Sequence, residues 1–155
     1  MLTLADTDRP AAAALLARFG LELVMVEADE AIPGSYWGES EAGIIGSRVY
    51  ARADTPLHSL LHEAGHLLLM PPERRAAIHT DAADTQRDED AVCYLQLLLA
   101  DELPGFGREQ AFADMDAWGY SFRLGSAKAW FENDAEDARD YLFSRPHLVP
   151  LLPAD

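Results

Sequence analysis

The strongest constraint in this sequence is an apolar segment at 57–70 that contains two histidines and a glutamate at fixed spacing. A polar cap and a proline suited to the first turn of a helix precede it at 54–56. The segment ends at 70–72, where two consecutive prolines follow a methionine and stop a helix. The sequence therefore predicts a buried helix from about Pro56 to Met70, with the stretch at 62–66 in its interior.

The stretch at 62–66 reads His-Glu-Ala-Gly-His, which is an H-E-x-x-H pattern. Residues four apart lie on one face of a helix about one turn from each other, so His62 and His66 can direct their imidazoles at one metal ion. In this pattern the two histidines bind zinc, and the glutamate, here Glu63, is the general base toward a zinc-activated water. Leucines on both sides keep such a site dry, and Gly65 leaves room for close packing.

A catalytic zinc site needs a third protein ligand and leaves the fourth position for water. Leu69 and Pro72 stand where the extended H-E-x-x-H-x-x-G-x-x-H motif has a glycine and a third histidine, which excludes the metzincin arrangement. We expect a carboxylate from the next helix instead, because an acidic triplet at 88–90 opens it. Glu89 is the chosen ligand, and Asp88 is the close alternative, since one sequence does not fix the helical register to a single residue.

Other side chains are weaker candidates. His58 lies one turn before His62 and is expected to point away from a site centred on the histidine pair, and His79 lies in a polar loop. Cys93 follows Glu89 by one turn and is expected to be a small buried hydrophobe rather than a ligand or a nucleophile. Three tyrosines can donate a hydrogen bond to a developing oxyanion, with none singled out: Tyr36, Tyr50 and Tyr94.

The residues before the motif predict a helix and a small sheet. Arg9-Pro10 and the alanine-rich stretch to Phe19 predict a first helix that Gly20 ends. Leu21 to Val26 predicts a buried strand, and Ile44 to Ala51 predicts a further strand with Gly46 as a bulge. We expect an α+β fold in which the active-site helix packs on a small, mostly antiparallel sheet. The sheet's edge near the second strand is expected to suit an extended peptide bound by strand addition.

The residues after the motif predict additional helices. Asp88 to Leu103 is the second long helix, closed by Pro104-Gly105. Gly107 to Phe143 predicts two more helices, separated near Gly119 to Gly125. With 155 residues, the chain fits a single domain, 1–155, whose C-terminal helical part begins at about residue 104.

Charge and cysteine content restrict the partners and the compartment. Twelve Lys and Arg against 27 Asp and Glu give a formal charge of −15, which repels nucleic-acid phosphates and anionic lipids. No apolar run reaches the roughly 18 residues that span a bilayer. Cys93 is the single cysteine and cannot form an internal disulfide, and the N-terminus lacks the features of a secretory signal. These features predict a cytoplasmic protein without nucleic-acid or membrane partners, and they leave the oligomeric state open.

The chain up to Leu99 resembles the gluzincin-like domain of the ImmA/IrrE family of intracellular zinc metallopeptidases. The similar features are an alanine-rich helix ending in Phe19-Gly20-Leu21, a strand, a glycine-containing turn, a strand near Ile44 to Tyr50, and His-Glu-Ala-Gly-His-Leu-Leu at 62–68. The resemblance implies a zincin-like fold and a zinc cofactor. It also implies that His62 and His66 are ligands and that Glu63 is the base.

The sequence departs from that family in two places. The family's helix signature has a Glu three residues before Ala and Asn; here Asp88 precedes Ala91 and Val92 in this way, or the register shifts to Glu89. The C-terminal third from Gly107 matches nothing in that family. The resemblance therefore does not transfer a substrate or a regulatory role.

Together these features predict a zinc metallopeptidase, a hydrolase that cleaves a peptide bond in a protein or peptide substrate. One alternative is a hydrolase that acts on something other than a peptide, because the same metal-water chemistry attacks other carbonyls. The other alternative is a non-catalytic protein that keeps the zincin scaffold and acts through partner binding. An intact Glu63 argues against this alternative, because a structural zinc site needs no base beside its ligands.

Overall fold

The described part of the chain contains three strands, six α-helices and four short 3-10 helices. The computed structural model describes residues 1–35, 38–79 and 85–153. In chain order the elements are α1 (Arg9–Arg18), β1 (Glu22–Met25), β2 (Gly43–Ile45), β3 (Arg48–Ala51), α2 (Leu57–Leu69), α3 (Gln86–Ala100), α4 (Arg108–Trp118), α5 (Ala127–Asn133) and α6 (Glu136–Leu142). The expected α+β class is confirmed. Within the described ranges, no helix combines the length and the apolar character needed to cross a membrane.

The sheet is mixed, so the expectation of a mostly antiparallel sheet is wrong. Its order is β1-β3-β2, with β1 parallel to β3 and β2 antiparallel to β3. The predicted strand at 44–51 is in fact a hairpin, because Gly46 and Ser47 form a two-residue turn between β2 and β3. Gly46 has a φ of +60°, which glycine adopts freely at the first position of such a turn. The connection between β1 and β2 is long, so the chain can cross to the other edge of the sheet before β2. As a result β3 runs parallel to β1.

The expected edge for strand addition, near Ile44 to Ala51, is an edge only in its first part. β3 lies in the centre of the sheet, with a partner strand on each side. Residues 48–51 are therefore not an edge, and β1 and β2 take that position. The edge beyond β2 is partly covered, because Ile45 forms an isolated bridge with His79 and the Gly46 amide donates to the Ile78 carbonyl at 2.8 Å.

The helices begin and end close to the predicted residues, with two differences. α3 begins at Gln86 rather than Asp88, because the Thr85 hydroxyl accepts a hydrogen bond from the Asp88 amide and caps the helix. The C-terminal region contains three α-helices instead of two. The second predicted helix is divided into α5 and α6, because the backbone leaves the helical conformation at Asp134 and Ala135.

The pair α2 and α3 forms the centre of the core. Ten consecutive residues of α3, Ala91 to Ala100, are buried. Eleven of the thirteen residues of α2 are buried, and the other two, His62 and Glu63, are half-buried. The motif therefore lies where this otherwise enclosed helix reaches solvent.

Two side chains from elsewhere in the chain cap the C-terminal end of α2. Arg75 is buried and donates from Nε to the Leu67 carbonyl at 2.8 Å and from Nη1 to the Phe19 carbonyl at 3.1 Å. The His147 Nε2 atom lies 2.9 Å from the Leu68 carbonyl and donates to it. These bonds satisfy carbonyls that a helix end leaves without partners, and they hold the C-terminal segment against α2.

Gly65 sets the distance between α2 and α3. A Cβ atom built at Gly65 would lie 2.9 Å from Cγ1 of Val92, closer than real side chains approach. The two helices are therefore nearer to each other than an alanine would allow. This explains the room for close packing expected at Gly65.

We predict that Gly65→Ala lowers the free energy of unfolding of the metal-free protein by roughly 1 kcal/mol. Overpacking a core costs about 1–3 kcal/mol, and the better helix propensity of alanine returns about 1 kcal/mol. Urea denaturation in the presence of a chelator measures the change.

The matched control is a double-mutant cycle with Val92→Ala. Because that substitution removes the atom that an added Cβ would meet, Gly65→Ala should destabilise the Val92→Ala background much less than the wild type, or stabilise it. Purely additive effects would contradict the proposed contact.

Candidate metal centre

Three side chains from α2 and α3 converge where the helix pair reaches solvent. Nε2 of His62 lies 2.8 Å from Oε1 of Glu89, and Nε2 of His66 lies 3.1 Å from Oε2 of the same carboxylate. The three candidate ligand atoms all lie within 4.8 Å of one another. Two imidazole nitrogens and a carboxylate oxygen form a donor set that fits zinc and leaves a fourth tetrahedral position for water or substrate.

Glu89, and not Asp88, faces the two histidines. Oδ1 of Asp88 instead accepts a hydrogen bond from the Tyr141 hydroxyl on α6 at 2.7 Å. The cap from Thr85 fixes the register of the first turn of α3. The structure thus brings together His62, His66 and Glu89, the three residues chosen from the sequence, and places the alternative Asp88 elsewhere.

The charges of these groups are coupled. Burial raises the pKa of Glu89, but hydrogen bonds with His62 and His66 outweigh it and hold that pKa well below its usual range. Burial likewise lowers the pKa of His62, but interactions with Tyr120, Cys93 and Glu89 outweigh it and hold that pKa well above its usual value. Without a metal, the Glu89 carboxylate 2.8 Å from Nε2 favours the protonated form of His62. A metal that takes this position displaces the proton.

Gln96 on α3 fixes the orientation of the His62 ring. It is fully buried, and its amide nitrogen donates to the backbone carbonyl of His58 at 2.8 Å. Because that carbonyl can only accept, the amide oxygen faces Nδ1 of His62, 3.0 Å away. His62 therefore donates Nδ1–H to Gln96 and presents Nε2 to the candidate metal position, as metal-binding histidines commonly do.

Tyr120 and His58 complete this hydrogen-bond network. The Tyr120 hydroxyl lies 3.2 Å from Nε2 of Gln96 and 3.1 Å from Nδ1 of His58. Burial lowers the pKa of His58 to about 4 and raises the pKa of Tyr120 to about 12, so both groups are neutral near pH 7. Tyr120 thus accepts from Gln96 and donates to His58. Neither His58 nor His79 belongs to the converging group among the described residues.

Glu63 lies next to His62 on α2 and is half-buried. Its negative charge contributes to the raised pKa of Tyr120, which indicates that the carboxylate lies near the network around His62. A general base must be within hydrogen-bond reach of the water that it deprotonates. A half-buried carboxylate beside the ligand pair fits this requirement.

Among the described residues, the other candidates from the sequence are not part of the group of converging ligand atoms. Tyr94 stacks on Phe131 with ring centres 4.6 Å apart, which is a packing role in the core. Tyr50 lies on β3, and Tyr36 lies outside the described residues. Cys93 is buried, and burial raises the pKa of its thiol, in keeping with the small hydrophobe expected there.

The motif did not indicate Gln96 or Tyr120. Gln96 carries a signal in retrospect, because it is the one amide in the apolar run 91–100 and follows Glu89 by seven residues, two turns along the same helix face. Tyr120 carries no such signal. It lies in the connection between α4 and α5 and reaches the site only through the tertiary fold.

Comparison of the chain with models of protein families, with curated proteins and with solved structures gives no match. The resemblance to the ImmA/IrrE domain therefore depends on the motif and on the order of the elements. The geometry of the three converging side chains is independent of that resemblance.

We predict that the pair formed by Glu89 and the histidines stabilises the metal-free protein mainly between pH 4.5 and 6.5. Because the pKa of His62 is raised in the folded protein, this residue contributes stability below pH 6.5, its usual pKa. That stability is lost as the pH rises through the folded-state pKa. Because the pKa of Glu89 is lowered in the folded protein, this residue contributes stability above pH 4.5, its usual pKa. That stability is lost as the pH falls through the folded-state pKa.

Glu89→Gln, which removes the charge and keeps the size, tests this window. With a chelator present, it should lower the free energy of unfolding by about 1 kcal/mol within the window, because the carboxylate is partly exposed, and by less on either side. A difference between wild type and variant that stays constant from pH 4 to 8 would rule out the coupling.

We also predict that Gln96→Met weakens zinc binding by about 10- to 100-fold, because His62 loses the acceptor that orients it. Methionine fills a similar volume, so packing changes little. Competition with a chromogenic chelator measures the affinity, and thermal unfolding of the metal-free variant monitors folding. A variant that folds and binds zinc within two-fold of wild type would show that Gln96 has no positioning role.

Proposed function

We propose that this protein is a zinc-dependent metallopeptidase in which His62, His66 and Glu89 hold the metal. The observation that carries the proposal is the convergence of two Nε2 atoms and a carboxylate within 4.8 Å, with Glu63 beside them in an H-E-x-x-H pattern. The resemblance to the ImmA/IrrE domain supports a zincin-like fold of the gluzincin type. When bound, zinc polarises a carbonyl and makes water a nucleophile near neutral pH.

The residues of the chain have separate roles in this proposal. Glu63 accepts the proton of the attacking water on a carboxylate oxygen and passes it to the leaving amine. Glu89 remains ionised and His62 loses its Nε2 proton, so that both can act as ligands. Gln96 holds the His62 ring by accepting its Nδ1 proton. The substrate class is a protein or peptide, by analogy with proteins that share the motif.

The exposure of the motif supports a catalytic site over a structural one. Structural zinc sites are closed, usually by four protein ligands. Here three candidate ligands converge among the described residues, and His62 and Glu63 are the two α2 residues that are not buried. This arrangement leaves access for water and substrate.

Metal analysis combined with activity tests the proposal. We expect about one zinc per purified chain, lost in His62→Ala and Glu89→Ala and retained in Asp88→Ala, which is the matched control for an acidic residue in the same helical turn. Glu63→Gln should retain zinc and lose roughly 10²- to 10⁴-fold of the hydrolysis of a degenerate peptide pool followed by mass spectrometry.

Two outcomes would count against the proposal in different ways. No zinc in the wild type, even after refolding with the metal, would remove the basis for an enzyme. Bound zinc with hydrolysis that is absent or unaffected by Glu63→Gln would favour the non-catalytic scaffold that acts through partner binding.

A further inference from the structure

We propose that a small cleft beside His66 is an anion subsite that binds a carboxylate of the peptide substrate. This inference depends on the proposed function and deepens it by naming a substrate class. The cleft has a volume of about 140 Å³, and its walls include His66, Arg74, Asp88, Tyr141 and Arg145. A ligand in this cleft would thus lie directly beside a candidate metal ligand.

The two arginines of the cleft have no carboxylate partner among the described residues. The chain has a formal charge of −15, and within the described residues seven of the twelve Lys and Arg form ion pairs with Asp or Glu. Arg74 and Arg145 are not among the seven. In such an acidic protein, two guanidinium groups at one cleft that have no carboxylate partner in the described ranges create a local positive potential that attracts an anion.

Arg145 is held in position with unused hydrogen-bonding capacity. Its guanidinium carbon lies 4.2 Å from the centre of the Tyr141 ring, and the Tyr141 hydroxyl donates to Asp88. The bond between His147 and the Leu68 carbonyl anchors the same segment to α2. Nε of Arg145 is buried and has no hydrogen-bond partner. The terminal nitrogens of this guanidinium have no hydrogen-bond partner among the described residues, and a carboxylate in the cleft would accept from both of them in a bidentate pair.

The charges of the cleft favour a single carboxylate. Asp88 opposes an anion, but its Oδ1 already accepts from Tyr141. Two arginines against one carboxylate leave a net positive charge. The volume suits a carboxylate on a short aliphatic arm rather than a large side chain. Two parts of a peptide provide this group, namely the C-terminal carboxylate and the side chain of Asp or Glu.

The test uses small probes with a metal-binding group at one end. They are the monohydroxamates of malonic, succinic and glutaric acid, each paired with the primary amide that replaces its free carboxylate. The hydroxamate binds the zinc, and the three lengths vary the reach toward the cleft. Isothermal titration calorimetry on zinc-loaded protein at low salt gives each dissociation constant, after the zinc content of the same sample has been measured.

We expect at least one acid to bind about ten-fold more tightly than its amide, since hydrogen bonds to charged groups are the stronger class. Arg145→Gln and Arg74→Gln should each remove most of this preference, and Arg145→Lys should keep part of it. Arg48→Gln, at an arginine of β3 whose side chain is 61% exposed, is the control and should leave the preference unchanged. Circular dichroism and zinc content verify folding, and exposed Arg74 provides a variant that does not disturb packing.

The outcomes separate this inference from the proposed function. If zinc is bound and every acid binds like its amide, the subsite is overturned and the metal centre stands. If the protein holds no zinc, both are overturned. A preference that survives both Arg→Gln substitutions would also overturn the assignment to this cleft.

A competition experiment then distinguishes the two sources of the carboxylate. Zinc-loaded Glu63→Gln protein carries the tightest hydroxamate, and three hexapeptide pools compete for the site. The first pool has a free C-terminus and no acidic residue. The second pool has an amidated C-terminus and one Glu. The third pool has an amidated C-terminus and no acidic residue. Stronger competition by the first pool assigns the chain terminus, and stronger competition by the second assigns an acidic side chain. Equal competition by all three pools would overturn the subsite.

Discussion

The close contact of α2 and α3 at Gly65 is the interaction on which the rest of the site depends. Because no Cβ separates this position from Val92, the two helix axes approach closely enough for a carboxylate on one to reach two imidazoles on the other. The same approach brings Gln96 to the other nitrogen of His62. The absence of a side chain at Gly65 thus permits the close packing of the two helices that carry the candidate ligands.

This geometry places charged groups in a partly buried site. A partly buried carboxylate and imidazolium are stable only while each has its partner, and removal of one leaves the other desolvated and unpaired. The network of Gln96, Tyr120 and His58 carries no charge near pH 7 and holds one face of the His62 ring by directional bonds alone. Nε2 of His62 can therefore exchange its proton for a metal while the His62 ring keeps its orientation.

The sequence predicted those features that depend on local signals. The bounds of α2 follow from prolines at its two ends, although no side chain caps its first turn, and the spacing of His62 and His66 on that helix follows from its period. The choice between Glu89 and Asp88 could not be made locally, because the partner of Asp88 is Tyr141, 53 residues away. Gly46 lies in a turn and not in the predicted bulge, and its sequence does not distinguish the two because both accept glycine with positive φ. The parallel direction of β1 depends on a long connection that carries no directional signal.

The C-terminal third explains why this chain need not share a substrate with the family that its first part resembles. Neighbouring residues of α3 have different partners, because Glu89 turns to the histidines and Asp88 turns to Tyr141 of α6. Through Tyr120 and Tyr141 the C-terminal region contributes to the orientation of the candidate ligands and to the wall of the cleft beside them. A change in this region would therefore alter what the site binds while the two histidines and the glutamates stay in place.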